Sequence, residues 1–370
     1  MFCDIPSWLR IILAIGIAFL TAYFLTPQCR KFAISVGAVD NPSARRINDH
    51  PVPRMGGIAI FCGFILSMLL FANLTQQVEG ILIGTIIIAV MGGIDDMYNL
   101  PPWVKFIGQF AAAGIAIACG VVVDGFTNFI TFGDTVYINK IAAIIITAIW
   151  IVGCTNAINF IDGLDGLAVG MTTISSTTLL FISLRVSDVN ISVILACLIG
   201  SCIGFLPYNW NPAKIFMGDV GSQMLGFVLS SVSVIGLFKI HALVTILLPV
   251  LAMAVPLADT VFAIVRRLLK GQSPFKADKG HFHHRLLALG LTQKQVVILL
   301  YGISVVLGLF AYFMVGSTRT VKIICLALAF IIVFCIVLYV SRIYPKKNHR
   351  DAQDPDNIEK DIKIYEKKKH

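Results

Sequence analysis

Six aspartates stand in or beside long apolar segments of this chain: Asp95, Asp96, Asp162, Asp165, Asp219 and Asp259. An ionisable side chain is costly to keep in such surroundings, so each marks a candidate functional position. Five of them fall at three segment ends that also carry Gly and Asn: GGIDD at 92–96, NAINFIDGLDG at 156–166, and NWNP at 209–212 leading to MGDVGS at 217–222. Irregular backbone of this kind is tolerated in an apolar setting only where it lines a polar cavity. Two adjacent carboxylates, two more three residues apart and one in a Gly-bracketed turn make an oxygen-rich site. Such a site suits Mg²⁺, which takes one or two carboxylates, several waters and the phosphates of a substrate. A plainer reading has Asp96 capping the stretch before Pro101 and Pro102, with Asp162 and Asp165 merely ending helices. It serves for single acids but not for five gathered together.

Cationic groups that could face these acids lie in two other segments. Residues 40–57 offer Arg45, Arg46, His50 and Arg54 close to Gly56 and Gly57. Residues 266–285 offer Arg266, Arg267, Lys276, Lys279 and Arg285 with His281, His283 and His284. Guanidinium forks and imidazolium donors suit pyrophosphate oxygens, and a glycine-bearing loop can close over a nucleotide. Arg266 and Arg267 read more simply as charge flanking a membrane segment. The histidine cluster has no Cys nearby and many carboxylates around it, which disfavours zinc; phosphate ligation or proton donation suits it better.

The elements that must position these groups are membrane helices. The 370 residues are 57% apolar and 13% charged, against roughly 25% charge in a soluble domain. No polar linker divides 8–342, which excludes a soluble multidomain protein. Eleven segments are long and apolar enough to cross a bilayer or nearly so: 8–27, 56–73, 80–94, 105–123, 141–158, 168–186, 191–206, 221–238, 242–264, 296–315 and 322–342. The first lacks the basic flank and cleavage site of a secretory leader and reads as a retained anchor. With the N-terminus outside, the inner stretches hold 23 of the 29 Lys and Arg. The positive-inside rule therefore places the C-terminus and the five clustered acids on the cytoplasmic face. The same distribution explains the net charge of +9 without nucleic acid. The nine cysteines include no CxxC pair and read as small core residues. The chain thus divides into a membrane domain, 1–342, and a charged cytoplasmic tail, 343–370, whose Lys367 to Lys369 run reads as solvated rather than lipid-bound.

Six motifs in this order resemble the polyprenyl-phosphate N-acetylhexosamine-1-phosphate transferases: PRMGG at 53–57, GGIDD at 92–96, NAINFIDGLDGLA at 156–168, NWNPAKIFMGDVGS at 209–222, PLADT at 256–260 and HFHHRLL at 281–287. The resemblance covers about 1–342 and is nearest to the bacterial branch using undecaprenyl phosphate and N-acetylglucosamine. It implies an all-α polytopic enzyme of the bacterial inner membrane with about eleven spans. The lipid phosphate would attack the β-phosphorus of UDP-GlcNAc and release UMP, with Mg²⁺, or Mn²⁺ in its place, as cofactor. Carried over motif by motif, Asp219 is the first metal ligand. One of Asp95 and Asp96 is a base for the lipid phosphate, and the other organises metal or lipid phosphate, with Asp95 as a second metal ligand. Arg54, Asn156, Asn159, Asp162 and Asp165 are substrate-binding residues, Asp165 near the uracil. Phe216 either stacks on the base or marks the membrane interface. His281, His283, His284 and Arg285 contact the pyrophosphate or sugar, and Asp259 ties helices together. A homodimer is expected from the resemblance alone. The relative that uses UDP-MurNAc-pentapeptide carries three consecutive histidines where this chain has His-Phe-His-His-Arg, a departure that favours UDP-GlcNAc. That transferase remains one alternative. A secondary transporter, disfavoured by acids gathered at one face and by the lack of repeated halves, is another.

Overall fold

The computed structural model describes residues 5–40, 51–123, 125–127, 135–186, 188–237, 285–287 and 289–351, with separate positions between 250 and 261. Arg45, Arg46, His50, Asp259, Arg266, Arg267, Lys276, Lys279, His281, His283 and His284 lie outside the described residues.

Helices dominate, as an apolar chain with no water for its backbone requires. In order they are α1 (Ser7–Ser35), α2 (Gly57–Phe71), α3 (Gln76–Tyr98), α4 (Pro102–Ala118), α5 (Lys140–Ile161), α6 (Leu167–Arg185), α7 (Val189–Asn209), α8 (Gly218–Leu237), α9 (Gln293–Met314) and α10 (Arg319–Asp351). Ten of the eleven expected segments each coincide with one of these, and the eleventh, 242–264, falls largely outside the described residues. Seven helices among the described residues are long and apolar enough to cross a membrane, while α2 and α4 are shorter apolar helices. The chain is a multi-pass membrane protein. Two short antiparallel pairs depart from a purely helical expectation: β1 (Val39–Asp40) with β2 (Val52–Pro53), and β3 (Gly125–Thr127) with β4 (Thr135–Tyr137).

Local chemistry sets the helix starts. Thr75, Asn139 and Asp188 each accept a hydrogen bond from the backbone N–H three residues on, Thr292 and Gln295 form a capping box, and α4 begins on a proline. These caps occupy N–H groups that have no partner within the helix.

Packing then depends on small residues. α1 lies on α7 and α2, α6 on α7, and α3 and α5 on α8, while α4 bridges α3 and α5. Ala14, Ala18 and Ala22 of α1 are fully buried, one turn apart, and Gly200 and Gly204 of α7 lie directly against the carbonyls of Ile15 and Phe19. Lipid tails are as apolar as leucine, so helices associate through such close contact and interhelical hydrogen bonds rather than through the hydrophobic effect. The outward faces carry Ile86, Ile107, Ile145, Leu309, Phe313 and Phe330, all exposed. Trp8, Tyr98, Trp103 and Tyr137 are exposed at or beside helix ends, where amphipathic rings suit a membrane surface.

The tightest approach of backbone to backbone among the described glycines brings α2 against α8. A Cβ on Gly57 would stand 2.1 Å from the Gly221 nitrogen, whereas one on Gly114 of α4 would meet nothing within 4 Å. Gly57→Ala should therefore cost about 1–3 kcal/mol by overpacking, while Gly114→Ala should be neutral or slightly stabilising. Thermal unfolding in detergent checks this, and equal melting temperatures for the two variants would refute the close approach.

Candidate active site

Four helix ends meet at one point. α3 stops where Asn99 takes a left-handed conformation, φ 52°, and its N–H returns to the Asp95 carbonyl at 2.8 Å. Asp95 Oδ1 accepts from the Leu100 N–H at 2.6 Å, turning the chain into Pro101 and Pro102. Its other oxygen pairs with the Lys105 ammonium, in the first turn of α4. Lys105 Nζ also lies 2.6 Å from Asp219 Oδ2, at the start of α8. Asp219 Oδ1 accepts from Asn159 Nδ2 of α5 at 3.1 Å, and Oδ2 accepts from Gln223 Nε2 at 3.0 Å. Asn159 Nδ2 also donates to Ser222 Oγ at 2.8 Å, and that hydroxyl donates to the Gly218 carbonyl. One ammonium is thus shared by two carboxylates whose positions in the chain are far apart.

The adjacent acids Asp95 and Asp96 do different work. Asp96 is buried, and its oxygens accept the backbone N–H groups of Asp219 at 3.0 Å and Val220 at 3.3 Å. A carboxylate there satisfies donors of the first turn of α8 and faces the positive end of its dipole. Gly218, at φ 71°, makes the contact possible, since a Cβ would fall 2.4 Å from Asp96 Oδ2. Asp96 therefore fastens α8, and the cap before Pro101 and Pro102 that the sequence suggested for it belongs to Asp95.

Asp165 is also held internally. Its Oδ2 accepts from Asn211 Nδ2 at 2.9 Å and the Ala213 N–H at 3.0 Å, stapling the turn between α7 and α8. Both bonds tie that one oxygen to protein. Asn209 supports the same turn through the Gly166 N–H and the Ile215 carbonyl. The Asn156 amide donates to Gln109 Oε1 and the Val152 carbonyl, and its Oδ1 accepts from Gln109 Nε2 at 3.4 Å.

The PRMGG segment is zipped to the irregular segment before α8. Phe216 N donates to the Pro53 carbonyl, Gly56 N to the Phe216 carbonyl and Gly57 N to the Met217 carbonyl, at 2.8–2.9 Å. Phe216 is half-buried, with its backbone in this zipper. Met55 takes a positive φ of 100° here, uncommon for a residue with a side chain. Arg54 reaches Asn99 Oδ1 at 2.9 Å through Nη2. Its buried Nε has no hydrogen-bond partner among the described residues, a donor left for an anion. Arg285 is the one expected member of the 266–285 cationic loop among the described residues.

Asp162, between α5 and α6, is half-buried, and its carboxylate makes no hydrogen bond or ion pair among the described residues. Withdrawal from solvent, then the carboxylates of Asp219, Asp96 and Asp165, push its pKa up to about 8. Among the described residues the acids at the site outnumber the cations Lys105 and Arg54. Among the described residues no three His, Cys, Asp or Glu side chains come together around one point. Asp95 and Asp219 are a two-carboxylate donor set, which fits the demand of Mg²⁺ for one or two carboxylates with waters and phosphates completing the octahedron.

Lys105 went unmarked in the sequence except as one of many cytoplasmic cations. The available signal was its position as the single charged residue in PWVKFIGQFAAAGIAIA, where the cost argument applied to buried acids holds equally for a cation. Gln109 and Gln223, uncharged and embedded in apolar runs, gave no comparable signal.

A four-helix meeting of acids, amides and one lysine thus lies at the end of a multi-pass membrane bundle. The pattern of glycosyl transferase family 4 matches residues 78–237, the stretch from α3 to α8 that contains Asp95, Lys105, Asn159 and Asp219. A probable undecaprenyl-phosphate N-acetylglucosaminyl 1-phosphate transferase of Bacillus subtilis is 38% identical over 90% of this chain and 91% of its own length. A decaprenyl-phosphate N-acetylglucosaminephosphotransferase of Mycolicibacterium smegmatis is 36% identical over 79% of each chain. A phospho-N-acetylmuramoyl-pentapeptide-transferase of Staphylococcus aureus is more distant, 26% identical over 80% of this chain and 96% of its own. The chain belongs to glycosyl transferase family 4.

Two outcomes follow from the charges. The Asp162 carboxyl titrates at about 3.9 in an unfolded chain and at about 8 in the fold, so the folded state holds its proton more tightly. Metal-free protein should lose stability as pH rises from about 4 to about 8, and Asp162→Asn should flatten that loss. Melting temperatures in EDTA across this range test it; an unchanged slope in the variant would assign the effect to another group. Asp96→Ala should destabilise by about 0.5–2 kcal/mol through loss of the cap. A melting temperature equal to wild type would deny Asp96 that role.

Proposed function

We propose that the protein transfers N-acetylglucosamine 1-phosphate from UDP-N-acetylglucosamine to undecaprenyl phosphate, yielding undecaprenyl-pyrophosphoryl-N-acetylglucosamine and UMP. The observation that carries this reading is the pairing of Asp95 and Asp219 through Lys105. It lies in a chain whose Bacillus relative, matched over nine-tenths of its length, is named for a transfer of this kind. The more similar relatives are named for N-acetylglucosamine, which supports that sugar over a muramoyl pentapeptide.

In the reaction an oxygen of the lipid phosphate forms a bond to the β-phosphorus of the donor. The bond from that phosphorus to the bridging oxygen breaks, and UMP leaves with the electron pair. Asp95 and Asp219 would hold Mg²⁺, which when bound supplies positive charge to the phosphoryl oxygens as charge shifts between them. Asn159 orients the Asp219 carboxylate through its amide. Lys105 places a second cation beside the reacting phosphates, and the unspent Nε of Arg54 is a further donor to them. By the resemblance, His281, His283, His284 and Arg285 would contact the pyrophosphate or sugar of the donor. The distribution of Lys and Arg supports a cytoplasmic site in the inner membrane, with eleven spans and the N-terminus outside.

The test incubates purified protein in detergent with undecaprenyl phosphate, Mg²⁺ and radiolabelled UDP-N-acetylglucosamine, with UDP-MurNAc-pentapeptide in parallel. Labelled lipid and UMP are expected from the first donor alone. Asp219→Asn and Lys105→Met should each lower turnover by about 10²-fold or more, the scale of losing one group aimed at the transition state. Absence of lipid-linked product from either donor would overturn the proposal, and product from the pentapeptide donor alone would move the enzyme to the other branch.

A further inference from the structure

Three amides on three helices form a chain that ends on Asp219. Asn156 Nδ2 of α5 donates to Gln109 Oε1 of α4 at 2.7 Å. Gln109 Nε2 donates to Gln223 Oε1 of α8 at 2.9 Å and, more weakly, back to Asn156 Oδ1 at 3.4 Å, which closes a reciprocal pair between those two amides. Gln223 Nε2 donates to Asp219 Oδ2 at 3.0 Å. Gln109 is 2% exposed and Gln223 0%, so neither can turn to water. The polarity of the chain is set at its far end. The second Nδ2 hydrogen of Asn156 goes to the Val152 carbonyl at 2.8 Å, and a carbonyl can only accept. The Asn156 amide nitrogen must therefore face that end. Turning over Gln109 would set its carbonyl oxygen against that of Gln223 and its amide nitrogen against that of Asn156. Each amide fixes the next, and the last can only present an N–H to Asp219.

Such a chain is costly inside a membrane bundle unless every member is satisfied, and here it selects one orientation of one carboxylate. We infer that Asn156, Gln109 and Gln223 are positioning residues that aim Asp219 from within the bundle. Asn156 acts through this chain and not on a nucleotide. The inference rests on the reading of Asp219 as a metal ligand and deepens it, because groups that orient a ligating carboxylate are worth about 10- to 100-fold in metal affinity.

The experiment measures Mn²⁺ affinity by electron paramagnetic resonance and UMP affinity by calorimetry on full-length protein in detergent. The variants are Gln109→Met, Gln223→Met, the double variant and Asn156→Ala. Each should weaken Mn²⁺ about 10-fold and leave metal-free UMP binding unchanged. The double variant should bind Mn²⁺ no more weakly than the worse single one, since both break the same chain. Weakened UMP binding with unchanged Mn²⁺ affinity in Asn156→Ala overturns the inference, as do additive losses in the double variant. Should Gln223→Met fail to fold, Gln223→Asn, one methylene short of Asp219, takes its place. Should wild-type protein bind no Mn²⁺, the metal reading is the one that fails. The chain is then judged by the infrared carboxylate band of Asp219, obtained as wild type minus Asp219→Asn. That band should shift in Gln109→Met, and an unmoved band overturns the inference.

Discussion

A carboxylate withdrawn from water must be met on both oxygens, and meeting Asp219 organises one whole end of this bundle. Its partners come from α4, α5 and its own helix: Lys105, Asn159 and Gln223. Its backbone N–H is held by Asp96 from α3. None of these helices could shift by an ångström or two without leaving a buried charge or amide unpaired, a cost of several kcal/mol. Polar satisfaction, rather than apolar burial, therefore fixes how the helix ends register.

Close backbone approach makes that registration possible. Gly57 abuts Gly221, and Gly92 abuts the backbone of Asp219 and Val220, so α2 and α3 reach the first turn of α8 without intervening side chains. Gly226 does the same for α5, deeper in the bundle. The backbone zipper between Pro53 and Met217 extends the arrangement to the loops. Short side chains and polar groups divide the labour: the first set the distance, the second the angle.

Much of the site was legible in the chain because membrane interiors penalise charge. The acids at 95, 96, 162, 165 and 219 stood out against apolar surroundings, and the structure brings the helix ends that carry them together. What each acid does was not legible. Asp95 and Asp96 are neighbours in sequence, yet on a helix they point about 100° apart, and one meets an ammonium while the other meets a helix terminus. Asp165, three residues from Asp162, turns to Asn211 and Ala213, while the Asp162 carboxylate has no partner among the described residues. Lys105 was hidden by company, one cation among 29 Lys and Arg that all served the orientation argument.

By itself the sequence determined that this chain crosses a membrane repeatedly and where its helices run, because hydropathy and backbone hydrogen bonding are local demands, met within each segment. It also determined which acids stand in costly surroundings, because that follows from neighbours along the chain. The tertiary structure alone decided which carboxylates pair with an ammonium, which one caps a helix and which cation they share. Those outcomes depend on partners such as Asp96 and Asp219 or Gln109 and Gln223, more than a hundred residues apart, and no local pattern encodes the geometry of a contact that exists only once the helices have packed.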